Sequence, residues 1–170
     1  MTEMQSASGL AELEGIDHWN MPARRRNAQI MIDASKDLPQ VLYTPVDTEE
    51  RRNGWYVMAF SLDLEQMTCN IREFVDAAVA EGAVVWKVFW PQCHTEHAFR
   101  NHKSFGNSGF PFTSREYALP GSVDYSRVEV PNAIWHESHT FTCFAFPTFT
   151  AENCEQIGAA LRKVIKTFSK

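Results

Sequence analysis

The sequence lacks the features of a membrane or exported protein. No apolar run approaches the length that spans a bilayer, and the opening residues show no basic stretch followed by an apolar one. We therefore expect a cytoplasmic protein with no membrane partner. A CxxC pair is also missing, and the four widely spaced cysteines predict reduced, mostly buried thiols at Cys69, Cys93, Cys143 and Cys154.

The sequence also lacks an excess of positive charge and the glycine motifs that hold phosphates. The net charge is −5, and Arg24 to Arg26 form the one dense basic cluster. We interpret this cluster as a solvated helix face, because a nucleic-acid footprint normally extends over a whole basic surface. The chain has no GxGxxG, GxxxxGKS/T or GxSxG pattern, which removes the usual dinucleotide, P-loop and hydrolase signatures.

What remains is the composition of an ordinary globular domain, with 44% hydrophobic and 22% charged residues in a chain of 170. The N-terminal segment predicts a helix that Thr2 and Gln5 begin as a capping box. Pro22 is expected to break or kink this helix, because proline lacks the amide hydrogen and clashes with the preceding turn. A second helical run is expected to end near residues 37–39.

The rest of the chain alternates strand and helix patterns. Residues 55–62 are apolar on both faces and therefore predict a central strand. Apolar residues at helical spacing predict a helix over 70–80, stopped by Gly82, and another from a Thr150 cap nearly to Lys170. Other strands are expected at 41–43, 83–89 and 141–146. This order predicts an α+β fold, in which helices cover a small, largely antiparallel sheet.

Residues 91–123 are rich in Gly, Pro, Ser, Phe and His, and predict a short helix near 95–100 followed by a long loop. A loop of that length in a compact domain is usually functional or disordered, and its Phe and Tyr residues argue against plain disorder. Two HxxH pairs occur here and downstream, at His94 with His97 and at His136 with His139. They leave two interpretations open: a zinc site built by both pairs, or hydrogen-bonded or substrate-facing histidines in a polar loop.

Lys87 and three tryptophans are further candidates for chemistry. Lys87 is the lysine set inside an apolar strand. A desolvated lysine can form a Schiff base, although such a side chain more often reaches from a strand end to water. Trp86, Trp90 and Trp135 predict either core packing or an aromatic wall for a sugar-like ring.

Three stretches carry a resemblance to a known family. They are MTEMQSASGLAELEGIDHWNMPARRRNA, FVDAAVAEGAVVWKVFWPQCHTEHAF and VEVPNAIWHESHTFTCFAFPTFTAENCEQIGAALRKVIKTF. In order and spacing they are similar to the C-terminal region of the DegT/StrS-type family of pyridoxal-phosphate (PLP) sugar and cyclitol aminotransferases. The resemblance covers nearly the whole chain.

The resemblance implies a fold and a division of the chain. We expect the C-terminal small domain of a fold-type I PLP aminotransferase, with an N-terminal helix. Residues 1–38 would be the interdomain helical segment, and residues 39–170 the small domain. The family's Schiff-base lysine and the aspartate that pairs with the pyridine nitrogen lie upstream of the matched region. None of the six lysines here stands at the family's lysine position, so the chain is expected to bind no PLP alone.

The resemblance also implies substrate contacts. Phe89 and Trp90 stand where many members have a His-Tyr pair before the turn proline, here Pro91. His94 matches a histidine that is common after that proline, and His139 is expected to approach the same place. The resemblance assigns no catalytic residue and no metal ligand to this chain.

The expected function is therefore the C-terminal part of an aminotransferase for a keto-sugar or keto-cyclitol, inactive on its own. Its expected partners are a companion chain carrying the PLP domain, or further copies of itself, and a small sugar or cyclitol substrate, with no nucleic acid. Two alternatives stay open. One is a non-catalytic small α+β binding module or fragment, and the other is a small zinc-binding protein.

Overall fold

The structure is a computed structural model that describes residues 2–88, 90–104, 106–117 and 124–170. Its backbone contacts separate two compact units. The sheet unit comprises Met1–Val88 and Ser138–Lys170, and the insert comprises Phe89–Glu137. The insert thus interrupts the sheet unit in sequence. The predicted boundary after residue 38 stays a prediction.

The N-terminal part of the sheet unit is one continuous helical segment. Helix α1 (Glu3–Gly15) and helix α2 (Met21–Asp33) are joined by a π-helical turn, Ile16–Asn20. The predicted capping box is present, since the Thr2 amide donates to Gln5 Oε1 at 2.8 Å and the Gln5 amide to Thr2 Oγ1 at 3.4 Å. Pro22 does not stop the helix. It lies in the first turn of α2, where its missing amide hydrogen is tolerated, and the wide turn precedes it.

The sheet has four strands in the order β1-β2-β4-β3, and every neighbouring pair is antiparallel. The strands are β1 (Val41–Tyr43), β2 (Val57–Leu62), β3 (Val85–Lys87) and β4 (Thr140–Phe144). The predicted central position of β2 is confirmed, because it pairs with β1 on one side and β4 on the other. Strand β3 is shorter than the predicted 83–89 and lies at the edge of the sheet.

One face of the sheet forms the core with helices α2, α3 (Ile71–Ala80) and α6 (Ala151–Phe168). Phe141 of β4 stacks on Phe60 of β2 with ring centroids 5.1 Å apart, and its ring lies 5.0 Å from that of Phe74 in α3. Helix α3 ends before Gly82, whose φ of +89° is the left-handed conformation expected at a helix stop.

Helix α6 confirms its predicted apolar face. Five apolar residues share this face at helical spacing. Ile157, Leu161, Val164 and Ile165 are buried, and Phe168 is partly buried. Helix α6 packs on α2 and α3. Removing an apolar face of this size from water contributes on the order of 8–15 kcal/mol gross. The α+β class with a small antiparallel sheet is therefore as predicted.

The insert contains short helical pieces. Helix α4 (His97–Arg100) follows a 3₁₀ turn at Cys93–Thr95, close to the predicted short helix at 95–100. A second 3₁₀ turn, Tyr125–Arg127, precedes helix α5 (Pro131–His139), whose last two residues belong to the sheet unit. In the described part of the chain, no helix is both long and apolar enough to cross a membrane.

Candidate functional site

The described residues that the sequence singled out for substrate binding belong to both units. Trp90 and His94 belong to the insert, where Trp90 is exposed and His94 is half-buried. His139 belongs to the sheet unit, at the end of α5 and directly before β4. Its Nδ1 shares a 2.8 Å hydrogen bond with Ser138 Oγ. Phe89 lies outside the described residues.

His94 lines a pocket formed within the insert. The pocket has a volume of about 370 Å³, in the range of small-molecule sites. Its wall is almost wholly apolar and consists of Gln92, Cys93, His94, Phe99, Tyr125, Val128, Val130 and Ala133. We call this cavity the His94 pocket. It brings the segment after Pro91 together with residues some thirty positions downstream.

The His94 pocket has the chemistry of a binding site. The described residues that line it include no lysine, aspartate or glutamate. The Gln92 side-chain amide donates to Glu137 Oε2 at 3.4 Å, which fixes one polar edge. The exposed Cys93 thiol, the His94 ring and the Tyr125 hydroxyl are the other polar side-chain groups. The pocket can therefore hold an apolar or ring-shaped group and orient it by a few polar contacts.

A cluster of partly exposed rings packs together within the insert. His102 stacks on Phe112 at 4.9 Å, and Tyr125 packs against Phe99 at 5.4 Å. Tyr117 makes an edge contact with Phe112 at 5.9 Å. Such aromatic pairs are worth about 0.5–1.5 kcal/mol each beyond area burial. The prediction that this Phe- and Tyr-rich segment is more than plain disorder is supported wherever its residues are described.

The arginine cluster on α2 is a structural clamp, which corrects its interpretation as a solvated helix face. Arg24 Nη1 donates to the carbonyl oxygens of Trp55 at 3.1 Å and Ala145 at 3.2 Å. The buried Asn27 amide donates to the carbonyls of Phe146 at 2.7 Å and Phe149 at 3.0 Å. These bonds fasten α2 to the ends of β2 and β4. Spacing alone could not reveal this, because the acceptors are backbone oxygens distant in sequence.

The basic groove beside this clamp is lined by cations that already have partners. It has a volume of about 530 Å³, and Arg25, Arg26 and Lys36 contribute to its wall. Each cation already has a partner: Arg25 pairs with Asp47 at 3.6 Å, Arg26 donates to the Phe149 carbonyl, and Lys36 pairs with Asp33. Although partial burial acts against it, hydrogen bonding from Asn53 holds the pKa of Asp47 below its ordinary value. The carboxylate therefore stays charged.

The cysteines of the sheet unit are structural. Cys69, Cys143 and Cys154 are buried free thiols, as predicted for a reduced protein, whereas Cys93 is exposed. Burial raises the pKa of the Cys143 thiol well above its usual range, because the apolar interior disfavours the thiolate. A buried neutral thiol is a poor nucleophile, so the sheet unit holds no activated cysteine among these three.

The zinc alternative gains no support from the structure. Among the described residues, no three His, Cys, Asp or Glu side chains converge closely enough to hold a metal ion. The two HxxH pairs are also divided: His94, His97 and His136 belong to the insert, and His139 belongs to the sheet unit. The other interpretation of these histidines, as hydrogen-bonded or substrate-facing residues, stays a prediction.

The described lining of the His94 pocket does not fit PLP held by a lysine, because it contains no lysine. Elsewhere, Lys163 is engaged by Glu81 at 2.7 Å, Lys170 donates to the Glu65 carbonyl at 2.7 Å, and Lys36 pairs with Asp33. Lys87 is half-buried in the edge strand β3.

The family follows from comparison with known sequences. The model of the DegT/DnrJ/EryC1/StrS aminotransferase family matches residues 1–130 of this chain. The chain belongs to this family. The resemblance to the family is thereby confirmed, and the matched range includes the first two stretches, α1, the central strand and most of the insert. Aminotransferases of the DegT/DnrJ/EryC1/StrS family depend on PLP in general.

The fold is similar to that of DesI, solved as a crystal structure in the presence of its TDP-sugar product. The TM-score is 0.69 at 17% sequence identity, and the similarity covers 96% of this chain and 35% of the DesI chain. At this identity the comparison shows the fold, and it confirms the α+β prediction. The chain therefore spans about a third of the DesI chain. No curated protein matches the chain closely in sequence.

The sequence did not identify the second wall of the His94 pocket. Tyr125, Val128 and Val130 face His94 across about thirty residues of a segment without periodic apolar pattern. The signal that pointed towards them was the Pro-x-Ala start of α5 at Pro131 to Ala133, which the family resemblance supplied. A pocket wall built from residues distant in sequence can be recognised only in the folded chain.

Proposed function

We propose that this chain is the C-terminal part of a PLP-dependent aminotransferase that aminates a keto-sugar or keto-cyclitol in sugar or secondary-metabolite biosynthesis. It does not transaminate alone and acts with a companion polypeptide that carries the PLP domain. One observation carries the proposal: residues 1–130 match the model of the aminotransferase family, and 96% of this chain shares the fold of part of DesI. The proposed setting is the cytoplasm, which suits four free thiols.

The lysines support the requirement for a companion. The chain's six lysines all lie in the described residues, and three of them are held by partners: Lys36 by Asp33, Lys163 by Glu81, and Lys170 by the Glu65 carbonyl. The chemistry that PLP supplies when bound is the stabilisation of negative charge at the carbon next to the transferred nitrogen. In this proposal that chemistry comes from the companion, and this chain contributes the wall of the substrate site.

The His94 pocket is the proposed substrate-facing element. Its apolar rings accept the flat face of a ring, and Gln92 and His94 provide polar contacts that orient it. Phe89, Trp90 and His139 are likewise proposed to contact the substrate. A further copy of the chain completing the site is the other arrangement that the proposal allows.

The test compares the chain alone with the chain and its companion. The chain is incubated with equimolar PLP, reduced with borohydride and digested, and lysine adducts are located by mass spectrometry. We expect no stoichiometric adduct on the chain alone, and amino transfer to keto-sugars only when the companion is present. A stoichiometric adduct at Lys87 that gives activity without a companion, and that disappears in Lys87→Met, would overturn the proposal.

The second candidate function is a non-catalytic α+β binding module. The apolar wall of the His94 pocket favours it, because such a wall suits the binding of a ring-shaped group. In this case the purified chain would bind a ring-shaped ligand at His94 and would copurify with no PLP protein. The same experiment therefore separates the two candidates.

A further inference from the structure

Asn53 and Gly54 form the single Asn-Gly pair of this chain. In such a pair the backbone nitrogen of the glycine can attack the Cγ atom of the asparagine side chain. Because glycine has no Cβ, that nitrogen is uncrowded, and the backbone reaches conformations that other residues avoid. The pair therefore contains both groups that spontaneous deamidation requires.

The structure leaves the attacking nitrogen unhindered. Gly54 is exposed, and a Cβ built at this position would meet no atom within 4 Å. Within the described part of the chain, the Gly54 amide makes no hydrogen bond. Neither packing nor a hydrogen-bond acceptor therefore withdraws this nitrogen from reaction.

The Asn53 side chain closes the base of the loop between β1 and β2. Its Nδ2 donates to the Val46 carbonyl at 2.9 Å and to Asp47 Oδ1 at 2.8 Å, and its backbone amide donates to the same Oδ1 at 2.7 Å. Trp55 Nε1 donates to Asp47 Oδ2 at 3.3 Å, and Arg25 of α2 pairs with this oxygen at 3.6 Å. Asn53 thus positions the carboxylate that ties the loop to α2.

These hydrogen bonds slow the attack on Asn53 without preventing it. They restrain Nδ2, whereas the attacking nitrogen belongs to Gly54. Both acceptors lie in an exposed loop, and exposed hydrogen bonds of this kind open at a low free-energy cost. Each opening frees the side chain to turn its Cγ atom towards the Gly54 nitrogen. Asp47 is therefore a restraint on the rate of the reaction.

We propose that Asn53 is a site of spontaneous deamidation, and that the negative charge it gains detaches the loop from α2. The Gly54 nitrogen loses its proton to solvent and forms a bond to Asn53 Cγ. The bond from Cγ to Nδ2 breaks, and the former amide nitrogen takes up a proton from solvent and leaves as ammonia. Water then opens the cyclic imide at either of its two carbonyl carbons, which leaves aspartate or isoaspartate at position 53.

The new carboxylate acts directly on Asp47. It would lie where Nδ2 now donates to Oδ1 over 2.8 Å, so an acceptor of like charge replaces a donor. Two carboxylates at this distance repel each other strongly. The repulsion displaces Asp47 and weakens its contacts with Trp55 and Arg25. This inference does not depend on the proposed function.

The first test is incubation of the folded chain in mildly alkaline buffer, followed by digestion and mass spectrometry of the peptide that contains Asn53. We expect deamidation at Asn53 before Asn107, which is also exposed but precedes Ser108. Gly54→Ala should form the product at least about ten-fold more slowly, because its Cβ crowds the attacking nitrogen. This variant should fold normally, since the space around position 54 is open. Asp47→Ala should react faster than the unmodified chain, because it removes the restraint on Nδ2.

The charge at position 53 is tested by thermal unfolding. Asn53→Asp should lower the unfolding temperature more than Asn53→Ala, because it adds repulsion to the loss of the hydrogen bonds. Asn53→Asp/Asp47→Asn exchanges donor and acceptor, and should recover part of the loss. Asn107→Asp is the control for added charge at an exposed position, and should leave the unfolding temperature unchanged.

The possible results separate the two parts of the inference. Absence of product at Asn53 in the folded chain, over the time in which the chain unfolded in urea converts, would overturn the site. Equal rates for Gly54→Ala and the unmodified chain would also overturn it. If the product forms but Asn53→Asp and Asn53→Ala unfold at the same temperature, the detachment of the loop is wrong. None of these results changes the proposed function.

Discussion

Gly158 of α6 lies against Ala34 at the end of α2, so close that a Cβ at position 158 would come within 2.5 Å of the Ala34 Cβ. This contact sets the distance between the two helices that close the core over the sheet. Because the neighbouring α2 backbone is also near, at 3.9 Å from such a Cβ, the helices must separate to admit a methyl group.

Gly158→Ala should therefore destabilise the chain despite the higher helix propensity of alanine. We expect a net loss of about 1–2 kcal/mol, since overpacking costs about 1–3 kcal/mol and the propensity gain offsets up to about 1 kcal/mol. Urea unfolding measures it. Gly9→Ala is the matched control, because Gly9 lies in α1 with open space around its Cβ position, and it should be neutral or slightly stabilising. Equal stability of both variants would contradict the close contact.

Asn27 is expected to be the most sensitive polar residue of the sheet unit. It is fully buried, and its amide donates to the Phe146 and Phe149 carbonyls. Asn27→Ala leaves both acceptors without this donor and should cost about 2–3 kcal/mol in the free energy of unfolding. Chemical denaturation gives the value. Gln29→Ala, on the exposed side of α2, should change stability by less than about 0.5 kcal/mol.

The N-terminal caps of α1 and α6 should differ in their effect on stability. Both are capping boxes, at Thr2 with Gln5 and at Thr150 with Asn153. Thr150→Ala should lower the free energy of unfolding by about 1 kcal/mol, because α6 carries buried core residues. Thr2→Ala should reduce helical circular dichroism and leave the urea midpoint unchanged, because α1 buries nothing. A shift of the midpoint by Thr2→Ala would show that α1 packs on the chain.

Asp37 and Arg162 should make stability depend on pH. The Arg162 guanidinium donates to both carboxylate oxygens, at 2.6 Å and 2.9 Å, and this hydrogen bonding lowers the pKa of Asp37 below 3.8. A carboxyl whose folded pKa is depressed contributes stability above its unfolded pKa, and that contribution disappears as the pH falls through the folded pKa. The unfolding temperature should therefore drop on acidification below about pH 4.

Asp37→Asn should reduce that drop in unfolding temperature between about pH 5 and pH 3. The single variants Asp37→Asn and Arg162→Gln and the double variant Asp37→Asn/Arg162→Gln form a double-mutant cycle. The cycle isolates the interaction free energy of the pair. An unchanged acid profile in Asp37→Asn would show that the pair does not hold in solution.

Much of the fold was predictable because it depends on local patterns. The apolar row of α6, the two-faced apolar run of β2 and the Gly82 stop each act within a few residues, and each is confirmed. The capping boxes are likewise sequence-local. These features fix element type, and the antiparallel α+β arrangement follows from their order.

The parts that could not be predicted depend on contacts between distant segments. The clamp from Arg24 and Asn27 uses backbone carbonyls more than thirty residues away, which no spacing rule reveals. Pro22 was predicted to break or kink the helix. In the structure the helix continues through a π-helical turn, and Pro22 follows it in the first turn of α2. The substrate roles of Trp90, His94 and His139 stay predictions.

The most direct test of the account is native mass spectrometry of this chain purified from its own host. We predict a complex with a second polypeptide, with PLP carried by that polypeptide and amino transfer only in the complex. A chain that is observed alone, without PLP and without a partner, would contradict the account and leave a catalytically silent member of the aminotransferase family.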